Sequence, residues 1–222
     1  MDEQLLKNVR VLVQEEKIDD AEKMILDYLD RNPKDSDAWI RLALVEMTPP
    51  YEDHRLIFEW MDKLLAYDPF NPYALLMLSY VHTYLFCGIP DDVYRRLCLA
   101  KNNDLEIMSM IELAKSWYFS SKNDWVNFEK SLRKSIEYCS FHQENLTSLG
   151  AFLLKKGEIE QGMKLIKHGM QNVKHICTSN DSCVTDPISM NDFLNEGFKG
   201  IFITQSNYET LEQLLERGML LL

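Results

Sequence analysis

The chain has 222 residues, 46% hydrophobic and 27% charged, with a formal net charge of -11. That length suits one or two compact domains, or a single solenoid of about six helix pairs. The acidic balance argues against nucleic acid as a ligand, since phosphate recognition needs clustered Lys and Arg, and it leaves steering towards a basic partner open.

Strand signals are nearly absent, while apolar spacings of three and four residues recur along the chain. The first pair of helices is expected from about Glu3 to Arg31. Leu5, Leu6, Val9, Leu12 and Val13 line one helix, and Ile18-Asp19-Asp20-Ala21 starts the next. Asn32-Pro33 closes the pair, because proline cannot continue a helix. A second pair begins at Ser36-Asp37-Ala38-Trp39, and its second helix carries Leu56, Phe58, Trp60, Met61, Leu64 and Leu65. Asp68-Pro69-Phe70-Asn71-Pro72 ends one helix and opens another. The third pair turns at Cys87-Gly88, with Pro90-Asp91-Asp92 at the start of its second helix, where acids suit the macrodipole. A fourth is expected from about Asp104 to Cys139, with a long turn at Ser120-Ser121-Lys122-Asn123-Asp124.

The sharpest signal is the fifth pair, Ser148-Leu149-Gly150-Ala151-Phe152-Leu153-Leu154-Lys155-Lys156-Gly157-Glu158-Ile159-Glu160-Gln161-Gly162. Two short helices meet at Gly157, with Gly150 and Gly162 where backbones would touch. These residues resemble a tetratricopeptide repeat, a helix-turn-helix unit of about 34 residues that stacks with copies of itself. The resemblance implies an all-α, right-handed solenoid of antiparallel helix pairs over residues 1–176. A polar segment, 177–187, follows it. Residues 188–222 then supply an atypical helical pair, with Phe193, Leu194, Phe198, Ile201 and Phe202 in the first helix, that caps the solenoid. The apolar end, Met219-Leu220-Leu221-Leu222, is expected to fold back on the last helices, with docking between two copies as the other solution.

In such a solenoid the first helix of each pair lines the concave face. Carried over residue by residue, the family pattern places Ile40, Arg41, Leu44 and Met47 there from the second unit. The third contributes Tyr73, Leu76, Met77 and Tyr80, and the fourth Met108, Ile111, Glu112, Lys115 and Tyr118. The fifth adds Glu144, Thr147, Ser148, Ala151 and Leu154. This groove is apolar at its centre, and Met and Tyr suit partner recognition through pliability and contact area. Family members that clamp a carboxylate terminus use basic groove positions that are mostly apolar here. The alternative to a partner groove is that this stripe is buried internally, by tighter superhelical packing or by the chain's own C-terminus.

No phosphate loop, nucleophile elbow or metal-ligand spacing stands out. His168, His175, Cys177 and Cys183 are the only cluster of ligand types, without a zinc-like arrangement. Five scattered cysteines do not suggest a disulfide framework, so a Cys177–Cys183 bridge is not expected. The polar opening, Met1-Asp2-Glu3-Gln4, does not read as a targeting segment, and no apolar run nears the ~20 residues of a membrane span. On this reading Asn145-Leu146-Thr147 and Asn180-Asp181-Ser182 match the glycosylation pattern by coincidence. The expectation is a cytoplasmic, non-enzymatic interaction module without a cofactor, monomeric or weakly dimeric. It would hold a protein or peptide as adaptor or chaperone, and would bind neither nucleic acid nor membrane. The alternative is an acidic inhibitor or immunity-type protein that blocks a basic partner, and a third reading is a metal or ligand sensor.

Overall fold

The computed structural model describes residues 1–48, 53–177 and 186–220. Ten helices come first: α1 (Glu3–Gln14), α2 (Ile18–Leu29), α3 (Ser36–Glu46), α4 (His54–Tyr67), α5 (Pro72–Phe86), α6 (Asp91–Leu99), α7 (Leu105–Ser121), α8 (Trp125–Tyr138), α9 (Gln143–Lys155) and α10 (Ile159–Gln171). A short strand β1 (His175–Cys177) follows, then α11 (Met190–Leu194), a π-helical turn (Asn195–Lys199), β2 (Phe202–Thr204) and α12 (Gln205–Met219). Among the described residues the fold is therefore all-helical apart from two three-residue strands. Among the described residues no helix is long and apolar enough to cross a membrane.

Local chemistry sets the helix ends. Asp35 accepts from the Ala38 N–H, and Asn71 accepts from those of Tyr73 and Ala74, with Pro72 in the first turn. Asp104 and Asp124 cap α7 and α8 in the same way. Each cap occupies backbone donors that a helix start leaves free. The α9–α10 turn passes through Gly157 at φ +84, a left-handed conformation that glycine adopts without strain. The α5 turn instead places Cys87 at φ 53. Helix α7 runs on to Ser121, so the expected long turn shrinks to residues 122–124.

Consecutive helices pack on one another from α1 to α10, most extensively α7 with α8 and α9 with α10. The second helices carry narrow apolar stripes, such as Ile18, Ala21, Ile25 and Leu29 on α2. The α9–α10 contact is close at the expected glycines: a Cβ on Gly150 would lie 2.8 Å from the Gly162 carbonyl oxygen, and the reverse holds.

The C-terminal part departs from a simple helical pair. β1 and β2 pair in parallel, with His175 opposite Phe202 and Cys177 opposite Thr204. Three-residue strands carry too little alternation to be seen in a sequence. Between them in the chain, α11 and the π-turn lie against α3, α7 and α9, while α12 packs on α10. The tail does not fold back where it is described: Met219 is 54% and Leu220 86% exposed. Leu221 and Leu222 lie outside the described residues. Cys177 is disulfide-bonded, contrary to expectation, and Cys183 also lies outside the described residues.

Candidate functional site

Helices α3, α5 and α7 differ from their partners in being buried almost all round. Unbroken runs are buried at 42–46 on α3, 74–79 on α5 and 109–114 on α7. A helix that is apolar on every side has neighbours on every side. One side of these three faces the neighbouring helices, and the segment 186–200 lies against another.

That segment is held at several points. Arg10 pairs with Asp186 at 2.8 Å. The Arg41 guanidinium donates through Nη1 to the Ile188 carbonyl at 2.9 Å, and through Nε to Asp37 at 2.7 Å. The Tyr80 ring meets Phe193 edge-on at 5.2 Å and Phe198 at 6.3 Å. Trp117 lies 5.0 Å from Phe198, whose side chain is fully buried. The backbone at Gly197 presses on Tyr80, so that a Cβ there would sit 3.0 Å from the ring. Lys199 closes the set with an ion pair to Glu106 at 2.7 Å.

The expected groove residues therefore divide. Arg41 and Tyr80 touch the segment directly. Ile40 and Tyr73 line a cleft of about 540 Å³ beside it, with Ile107, Met110, Met190, Leu194 and Lys199. Leu44, Leu76, Met77 and Ile111 are buried in the main core, and Met47 and Met108 are half-buried against it. Lys115 is not an open groove cation, because it pairs with the buried Glu112 at 3.0 Å, as does Lys134 at 2.7 Å. Tyr118 turns the other way, stacking on Tyr94 of α6 at 3.9 Å and donating to Asp91. Where it meets 186–200 the stripe is thus a covered surface, one of the two outcomes the sequence left open.

A second cleft, about 530 Å³, lies on the far side of the segment between α9 and the C-terminal elements. Tyr80, Glu144, Thr147, Ser148 and Ala151 line it from α5 and α9, and Glu196, Gly197 and Leu211 from the other wall. Burial pushes the carboxyls of Glu144 and Glu196 upward.

A polar network is buried where α7, α8 and α9 meet. Ser109 Oγ lies 3.0 Å from Ser135 Oγ and 3.2 Å from His142 Nδ1, and it accepts from Asn145 Nδ2 at 2.9 Å. His142 is 3% exposed, and desolvation lowers its pKa to about 4. Glu106, Cys139 and His142 bring ligand-type atoms within 4.8 Å of one another. A separate buried acid, Glu46 on α3, is pushed up to about 7 by desolvation and then by Glu22, Asp53 and Asp19.

Sequence reasoning missed Glu106, Met110, Trp117 and Lys199. On α7 the side towards the segment includes Glu106, Met110 and Trp117, whereas Met108, Ile111, Lys115 and Tyr118 lie on neighbouring stripes. The only available signal was the four- and seven-residue spacing of those three residues. No family model matches the chain, and no curated protein is significantly similar to it.

Proposed function

We propose that the protein is a non-enzymatic interaction module, built as a right-handed solenoid of antiparallel TPR-like pairs. It receives an apolar segment of a polypeptide partner on the face of α3, α5 and α7. The observation that carries this reading is the seating of the chain's own segment 186–200 on that face. Its occupancy supplies the chemistry of a ligand: phenylalanines five residues apart against Tyr80 and Trp117, a backbone carbonyl for Arg41, and a cation for Glu106. A partner of the same kind, with two aromatic anchors and a trailing Lys or Arg, competes with this segment. Burying each large apolar side chain contributes roughly 1.5–3 kcal/mol, so the association should tolerate salt.

The test uses a fluorescent peptide spanning 186–200, presented to the full-length protein and to a Phe193→Ser/Phe198→Ala variant. The variant weakens the internal ligand and leaves its receiving face intact. Tighter peptide binding by the variant than by the wild type supports the proposal. Equal or absent binding by a folded variant removes it.

A further inference from the structure

We propose that Glu106, Cys139 and His142 bind one divalent transition-metal ion of the zinc type. This inference does not rest on the partner-binding reading, although both use Glu106. Cys139 closes α8, and His142 is the residue before α9, so the two stand in a Cys-x-x-His turn. Glu106, in the first turn of α7, faces them from another element. One ligand atom from each lies within 4.8 Å of the other two.

The second observation is the imidazole itself. His142 Nε2 is buried and has no hydrogen-bond partner. The nearest charged oxygen, Glu106 Oε2, is 4.0 Å away, beyond hydrogen-bond range. Proton bookkeeping fixes what that nitrogen presents. The Ser135 hydroxyl donates to the Ser109 carbonyl at 2.6 Å, so the proton between the two hydroxyls belongs to Ser109. Ser109 Oγ then accepts from Asn145 Nδ2 and from His142 Nδ1–H. Nε2 is left as a bare lone pair 4.0 Å from Glu106 Oε2. A neutral histidine oriented through its other nitrogen is the form that ligates metals.

The donor set selects the ion. Thiolate, imidazole and carboxylate together suit zinc, whereas magnesium and calcium prefer oxygen alone. Tetrahedral zinc, with bonds of about 2.0–2.2 Å to nitrogen and oxygen, sets those two ligands about 3.4 Å apart. The observed 4.0 Å is close to that separation, and half-exposed Glu106 has room to move. One carboxylate oxygen can keep Lys199 while the other turns to the metal. Binding replaces the Cys139 thiol proton, which passes to the buffer, and water fills the fourth position.

Titration of the full-length protein with Zn²⁺, followed by calorimetry in buffers of different ionisation enthalpy, tests the site. One ion per chain with proton release is expected, and Co²⁺ should give a thiolate charge-transfer band. Cys139→Ser should abolish that band, Glu106→Gln should weaken uptake by more than about tenfold, and Ser109→Ala should weaken it by about tenfold. Glu106→Gln alters a half-exposed side chain, so it remains decisive should Cys139→Ser fail to fold. The proposal is overturned by the absence of saturable uptake. It is equally overturned if uptake survives Glu106→Gln and Cys139→Ser, which would move binding to residues such as His168 and His175.

Discussion

Arg41 on α3 donates to the backbone carbonyl of Ile188, 147 residues further along the chain. Its side chain is only 18% exposed, so the bond lies largely out of water. Losing a charge-assisted bond of this kind costs about 1.5–3 kcal/mol. Arg41→Met is therefore expected to speed amide hydrogen exchange across 186–200 and leave protection in α9 and α10 unchanged. Exchange followed by mass spectrometry reads the difference, and uniform protection would mean that Arg41 does not hold the segment.

Phe198 should be the strongest anchor. Truncation of a fully buried phenylalanine typically costs 3–5 kcal/mol, so Phe198→Ala should lower the urea midpoint markedly. Val126→Ala is the control at a 79% exposed position, with an expected change within about 0.5 kcal/mol. Similar midpoints for the two variants would place Phe198 outside the cooperative core.

Gly150 and Gly162 should resist even the smallest side chain. A methyl on either meets the other's backbone oxygen at 2.8 Å, which cannot rotate away. Gly150→Ala and Gly162→Ala are each expected to cost about 1–3 kcal/mol by thermal or urea unfolding. A stabilised Gly162→Ala would show that α9 and α10 can separate at no cost.

Glu46 gives the protein a pH dependence of definite sign. Its ordinary value is 4.5, and in the fold it is held at about 7, chiefly by desolvation and then by Glu22, Asp53 and Asp19. The folded chain keeps a proton that the unfolded chain releases, so the contribution is complete below pH 4.5 and declines as pH rises towards 7. Glu46→Gln should flatten this decline and raise stability at pH 8. Parallel urea titrations of the variant and wild type at pH 5 and pH 8 check it.

Much of the helical architecture was legible because its signals are local. Asn71-Pro72 and Asp104 act on their own helix starts, and Gly157 and Gly162 act within one helix pair. The rotation of α7 was not legible, since burial from 109 to 114 erases the polar face that would reveal it. The seat of 186–200 was hidden for another reason. Arg41 with Ile188 and Tyr80 with Phe198 are encounters between distant residues, and neither partner's neighbours in sequence betray them. Cys139-x-x-His142 stood in the sequence as a possible ligand spacing but was passed over, because its third member, Glu106, comes from a separate helix.

The parallel pairing of β1 with β2 gives the segment between them a kinetic and thermodynamic advantage over any rival. Both its ends are held in one strand pair, so release is a local opening and return is intramolecular. A tether of this length sets an effective concentration in the millimolar range. A free peptide of equal intrinsic affinity reaches half-occupancy only near that concentration. On the proposed reading, a partner present at micromolar levels must therefore bind about a thousandfold more tightly than the internal ligand, or first part the two strands that anchor it.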